Sequence, residues 1–132
     1  NTNRGTMNNY KILIVDDNPL VVKMHLHYLK RAGLDAETAS NGKEAKAKIA
    51  EKTYDLVILD LMMPEVSGFD VLKTIRSNPK NDKTKVIVAS ALNDKEVVEL
   101  CFQLGANYFV TSPVSYQSLM EKVKDALGLK GV

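Results

Sequence analysis

The sequence predicts an α/β fold, a doubly wound parallel sheet of five strands in the order 2-1-3-4-5 with helices on both faces. Three observations predict it. Short apolar runs alternate with amphipathic helical stretches five times along 132 residues. The runs carry apolar residues at consecutive positions, as strands covered on both faces do. Two of them, Ile12–Val15 and Leu56–Leu59, stop at acids, Asp16-Asp17 and Asp60. The strand order, taken from the known repertoire of such sheets, sets strands one and three side by side. Their carboxyl ends then share the edge where open α/β sheets bind ligands.

Tyr10–Val15 reads as the first strand. Pro19–Ala32 reads as a helix, with Asn18 as N-cap, Pro19 at its first position and Gly33 closing it. Val22, Leu26 and Leu29 mark its buried face. Leu34–Thr38 is the second strand. Gly42–Glu51 is a helix with Ala45 and Ile49 inward and lysines elsewhere, and Asp55–Leu59 is the third strand. Gly68–Ser77 is a helix with Val71, Leu72 and Ile75 on its apolar face. A polar loop to Thr84, broken at Pro79, precedes the fourth strand, Lys85–Ala89. Asp94–Leu104 is the fourth helix, with Val98, Cys101 and Phe102 inside and Gly105 ending it. Asn107–Val110 is the fifth strand. Ser115–Leu127 is the last helix, with Leu119, Val123 and Leu127 inward and Gly128 after it.

The length fits one domain with a real core. A net charge of +2, from 18 basic and 16 acidic residues, gives no reason to expect nucleic-acid or membrane binding. No apolar run approaches the ~20 residues of a membrane span, and no signal peptide leads the chain. The single cysteine, Cys101, excludes an internal disulfide and suits a reducing cytoplasm. Asn1–Thr6 are polar and patternless. They read as a vector-derived remnant or a disordered segment, leaving 7–132 as the domain.

Three carboxylates at one sheet edge repel one another, and a hard cation such as Mg2+ relieves that repulsion. The pattern therefore points to a metal-dependent phosphoryl site. A single acid at a strand end is ordinarily a cap; the triple is what carries the reading. His25 and His27 lie two apart on a helix, share no face, and read as ordinary helix residues. Lys43, Lys46 and Lys48 read as a solvated face.

Four segments together resemble the receiver domain of bacterial two-component response regulators. They are Ile-Leu-Ile-Val-Asp-Asp-Asn (12–18), Asp-Leu-Val-Ile-Leu-Asp-Leu-Met-Met-Pro (55–64) with Gly68, Val-Ile-Val-Ala-Ser-Ala (86–91), and Gly-Ala-Asn-Tyr-Phe-Val-Thr-Ser-Pro (105–113). The resemblance runs from Tyr10 to Leu127 and implies a flavodoxin-like fold. It implies that Asp60 accepts a phosphoryl group from a phosphohistidine on a sensor histidine kinase or histidine phosphotransfer protein. It implies that Mg2+ is held by Asp16, Asp17, Asp60 and the backbone carbonyl of Met62. It places Ser90 where a hydroxyl contacts the phosphoryl group, and Phe109 at an aromatic switch position. The surface of the fourth helix, fifth strand and fifth helix would then be read by a downstream protein or effector domain.

One departure stands out. The family has a lysine directly before the proline after strand five, and here that position is Ser112. Serine is shorter, uncharged and able to donate one neutral hydrogen bond, so weaker phosphorylation, weaker coupling, or both are expected. Lys95 lies on the correct edge to substitute, whereas Lys11 and Lys85 start strands at the wrong end. The Ser112–Pro113 bond is expected to be cis, as the family's bond is. Met62 and Leu92 occupy positions that help to place an attacking water in the family. Both are apolar, so slow self-dephosphorylation is expected.

The reading is a cytoplasmic phosphoacceptor that acts as a switch, assisting its own phosphorylation and dephosphorylation without being a turnover enzyme. The alternative is a pseudo-receiver that binds partners without phosphorylation. An aspartate-nucleophile phosphatase would carry Asp-x-Asp after the first strand, and a flavin protein would carry a Ser/Thr/Gly-rich loop there. Receivers of this kind pair through helix four, strand five and helix five, so a homodimer through that face is a further partner, with the oligomeric state left open. Whether the chain stands alone or is cut from a longer regulator is equally open.

Overall fold

The computed structural model describes residues 9–129; the expected remnant, Asn1–Thr6, lies outside the described residues. Strands β1 (Ile12–Val15), β2 (Glu37–Ala39), β3 (Leu56–Leu59), β4 (Lys85–Ser90) and β5 (Tyr108–Thr111) alternate with helices. The helices are α1 (Pro19–Arg31), α2 (Gly42–Glu51), α3 (Gly68–Ser77), α4 (Lys95–Gln103) and α5 (Tyr116–Leu127), with a 3-10 turn at Pro79–Asn81. The sheet is parallel in the flavodoxin-like order β2-β1-β3-β4-β5.

Alternation along the strands divides the core in two. Leu13, Val15, Val57, Leu59, Val86 and Val88 face α2, α3 and α4, where Ala45, Ile49, Val71, Leu72, Ile75 and Cys101 meet them. Ile12, Ile14, Leu56, Ile58 and Ile87 face α1 and α5, meeting Leu29, Leu119, Met120 and Val123. Both faces of the inner strands are thus dry, the condition that makes their sequences read as continuous apolar runs.

Local signals set the helix ends. Asn18 accepts the N–H of Leu20, Asn41 that of Glu44, and Ser115 that of Ser118. Ser67 and Asp70 form a capping box at the start of α3.

Two sequence expectations change. The second strand starts at Glu37 rather than Leu34, because Leu34 closes α1 instead. Its N–H donates to Leu29 and that of Gly33, at φ 78°, to Lys30. This is the Schellman pattern, and Leu34 buries itself near Leu29. Phe102 is not inside but 46% exposed. Val97, Cys101 and Leu104 take the inner stripe of α4 at helical spacing, which turns Phe102 and Leu100 outward. His25 lies within α1. It is buried on the inner stripe of α1, and neither ring nitrogen finds a partner among the described residues.

At the amino ends of β4 and β5, Arg76 fastens α3 to the loops that precede both strands. Its guanidinium donates to the carbonyls of Gly105 (2.9 Å), Asn81 (3.0 Å) and Thr84 (2.7 Å) and to Asn107 Oδ1 (3.0 Å). The opposite edge of the sheet, at the carboxyl ends of the strands, is left free to carry chemistry.

Candidate functional site: an acidic cluster at the sheet edge

Register brings the acids together. Val15 pairs with Leu59, so the next residues, Asp16 and Asp60, leave adjacent strands side by side. One carboxylate oxygen from each of Asp16, Asp17 and Asp60 lies within 4.8 Å of the others. Asp16 is buried, Asp60 half-buried and Asp17 exposed, so the cluster opens outward through Asp17. Asp16 Oδ1 accepts the N–H of Asn18 at 2.9 Å, which fixes its carboxylate against the start of α1.

The electrostatics follow from crowding. Burial pushes the Asp60 carboxyl up to about 6, with the Asp16 charge adding to it. Hydrogen bonds from the backbone of Met62 and Leu61 pull it back, and Asp17 raises it further. Asp16 is also raised, by burial first; its bond from Asn18 opposes this and the charge of Asp17 adds to it. A compact set of hard oxygen donors with reluctant ionisation suits a divalent oxygen-seeking cation, so the residues present fit Mg2+.

The loop after Asp60 is tightly set. Gly68 packs so closely that a Cβ there would lie 2.1 Å from the Asp60 carbonyl oxygen and 2.7 Å from Leu61 Cα. Glu65 stands at φ 67° inside a turn closed by Val66 N–H to the Pro64 carbonyl at 2.8 Å. That backbone region is strained for a residue with a side chain. Met62 is 58% exposed while Met63 is buried.

The neighbouring strands supply the remaining residues singled out by sequence. Leu59 pairs with Val88, so Ser90 sits two residues further along β4 on the same edge. Ser90 is fully buried, and its Oγ accepts the N–H of Leu92 at 3.1 Å. Its carbonyl accepts the N–H of Ser112 at 2.9 Å, which joins the loop after β5 to β4. The Ser112–Pro113 bond is cis. Phe109, half-buried, pairs with Val88 and packs against the α2–α4 side of the core. Lys95 is the first residue of α4 and is exposed.

A cavity of about 320 Å3 opens beside Asp16 and Asp17, lined also by Pro19, Val22, Thr38, Ala39 and Ser40. Thr38 and Ser40 escape a reading from sequence. Nothing local marks them, and only the β1–β2 pairing brings them to the acids.

The sequence profile of the response regulator receiver domain matches residues 12–124. The chain belongs to this family. The receiver is 34% identical over 119 residues to the alkaline phosphatase synthesis transcriptional regulatory protein PhoP of Bacillus subtilis, covering 90% of this chain and 49% of PhoP. It spans about half or less of the length of the curated relatives it matches. Among solved structures, the Francisella response regulator 1452 receiver domain is 31% identical, with a TM-score of 0.82 over 91% of this chain and 98% of its own. The receiver domain of the sensor histidine kinase PA1611 from Pseudomonas aeruginosa PAO1 shares the fold at 23% identity. Its TM-score is 0.82 over 90% of this chain and 98% of its own, and that domain carries a magnesium ion coordinated in its active site cleft. Receivers are signalling modules of two-component systems, and this one has the acidic pocket that such modules use. No helix among the described residues is long and apolar enough to cross a membrane.

Proposed function

We propose that this receiver accepts a phosphoryl group from phosphohistidine onto Asp60, in the presence of Mg2+, and thereby changes a surface read by a partner. The observation that carries the proposal is the convergence of Asp16, Asp17 and Asp60 around a carboxyl held up to about 6. Asp16, Asp17, Asp60 and the Met62 carbonyl would hold the ion. Mg2+ supplies neutralisation of the negative charge gathered by the acids and the phosphoryl oxygens.

The chain's own groups account for the rest. A carboxylate oxygen of Asp60 forms the new bond to phosphorus as the P–N bond of the donor breaks. The imidazole departs with that electron pair and takes up a proton. Leu92 N–H already occupies a lone pair of Ser90 Oγ, so the Ser90 O–H remains to donate to a phosphoryl oxygen. Ser112, in place of a lysine, offers at most one neutral hydrogen bond. Phe109 lies on the same face as Ser90 and is only half-buried, so it moves inward when Ser90 shifts toward the phosphoryl group. Met62 and Leu92 cannot orient an attacking water by hydrogen bonding, which makes the aspartyl phosphate long-lived.

In this reading a sensor histidine kinase or a histidine phosphotransfer protein lies upstream. A downstream protein or effector domain reads α4, β5 and α5 in the cytoplasm, and homodimerisation uses the same face. No direct nucleic-acid or membrane contact is part of the reading. The second reading is a pseudo-receiver that binds its partner without phosphorylation, favoured by Ser112. Intact mass after incubation with acetyl phosphate separates them. A gain of one phosphoryl group that needs Mg2+ and is lost in Asp60→Asn supports phosphoacceptance. No gain, together with no binding of beryllofluoride, supports the pseudo-receiver.

A further inference from the structure

Helix α1 touches both the acid cluster and the start of α5, and its two contacts use different ends. At its amino end Asn18 is both N-cap and donor, with its N–H on Asp16 Oδ1 at 2.9 Å and its side chain accepting Leu20 N–H at 3.0 Å. Any rearrangement of the Asp16 carboxylate is therefore felt at the first turn of α1. Three turns on, the Tyr28 hydroxyl donates to the Val114 carbonyl at 3.2 Å. The Tyr28 ring meets the ring of Tyr116, the first residue of α5, edge-on at 5.5 Å and 73°. Arg31, one turn beyond Tyr28, sets its guanidinium carbon 3.8 Å from the centre of the same Tyr116 ring.

The segment between β5 and α5 is thus clamped at two points. Ser112 N–H ties it to Ser90 on β4, and Tyr28 ties it to α1. The first clamp lies at the acid edge through a strand. The second reaches that edge through a helix of thirteen residues, whose internal hydrogen bonds let it move as a rod. Ser112 carries no charge with which to sense an occupant of the cluster directly, so the helical route, anchored on Asp16 by Asn18 and on Val114 by Tyr28, runs beside the one through Ser90.

We propose that Tyr28 is a positioning residue that transmits occupancy of the acid cluster to α5, through its hydrogen bond to Val114 and its ring contact with Tyr116. The proposal rests on the reading of Asp60 as the occupied site. The coupling is a free energy shared between two places, so it is measurable as a response in α5 to a ligand bound at Asp60.

The test follows backbone amide NMR shifts as Mg2+ and beryllofluoride are added to the whole chain. In the unaltered protein, shifts are expected around Asp60 and also along Tyr116–Leu127. Tyr28→Phe removes only the hydroxyl. It should reduce the α5 shifts by about half or more, while ligand affinity stays within about twofold of the original. Tyr116→Leu, which removes the ring contact and the cation–π pair, is the second variant and should do the same. A merely structural role for Tyr28 would lower stability and leave the ratio of α5 response to site response unchanged. Full α5 shifts in a folded Tyr28→Phe overturn the proposal. So do shifts in the unaltered protein that stay near Asp60 and never reach α5, which leaves the phosphoacceptor reading intact. No response anywhere overturns both.

Discussion

The backbone N–H of Asp60 donates to the carbonyl of Val15 at 2.9 Å. This bond extends the β1–β3 ladder one step beyond the Val15–Leu59 pair and brings Asp60 alongside Asp16. Mg2+ held among these acids, as proposed, would stabilise the folded chain by mass action. At a free concentration about 100 times the dissociation constant the gain is about 2.7 kcal/mol. For a domain of this size that is a rise of roughly 10 °C in the thermal midpoint. Asp17→Ala, at the exposed member of the trio, should remove the rise. A midpoint that ignores saturating Mg2+ would contradict the metal assignment.

The raised carboxyl of Asp60 gives the metal-free protein a defined pH response. Its folded value, up to about 6, lies above the ordinary 3.8. As pH falls through that interval the folded chain takes up a proton that the unfolded chain does not. Stability from this group is therefore present in full below the ordinary value and lost as pH rises through about 6. Asp60→Asn keeps that gain at neutral pH. The variant should be more stable than the original by about 2 kcal/mol at pH 7.5 without Mg2+, partial exposure having lowered the figure. The difference should vanish near the ordinary carboxyl value. Urea midpoints across pH measure both.

His25 responds with the opposite sign. Burial lowers its imidazole from the ordinary 6.5. Above that value the ring is neutral in both states. Below it the unfolded chain binds the proton first, so stability falls with pH. His25→Leu replaces two buried nitrogens that find no partner among the described residues with an apolar side chain. It should stabilise the fold by about 1–3 kcal/mol at pH 7, with a larger gap at pH 5. Equal acid sensitivity in the two proteins would assign the loss to another group.

Gly68→Ala tests the support beneath Asp60. A Cβ at 2.1 Å from the Asp60 carbonyl oxygen forces the main chain to move, since backbone cannot rotate away. The expected destabilisation is about 2–4 kcal/mol, with Mg2+ affinity weaker by about tenfold. Calorimetry in the folded range of the variant gives the affinity. An unchanged affinity would show that the loop absorbs the methyl group without disturbing the acids.

Arg76→Met separates stability from the site. Four acceptors lose their donor, and the expected loss is about 3 kcal/mol by urea unfolding. Arg76→Lys should recover little of it, because one ammonium cannot reproduce the planar fork. Mg2+ affinity should not change, since Arg76 lies at the amino ends of the strands.

The acid cluster was legible because its members end apolar runs, and a strand's direction tells which edge its last residue reaches. Gly68 belonged to a motif, but the closeness of its Cα to the Asp60 carbonyl appears only when α3 is packed. Thr38 and Ser40 carried no local mark. Their place beside Asp16 and Asp17 comes from β2 lying next to β1. Tyr28 carried no mark in the sequence, since its partners Val114 and Tyr116 are distant along the chain and meet it only when α1 and α5 share a sheet face.

What the sequence determined by itself is local: strand and helix identities, their caps, and the alternation that makes a parallel doubly wound sheet. Near neighbours decide these, through periodicity and through hydrogen bonds that close within a few residues. Tertiary structure alone decided that Phe102 faces out and His25 in, and that Arg76 ties α3 to two separate loops. Those outcomes depend on which surfaces compete for the same buried volume, and that competition is settled between elements rather than along the chain.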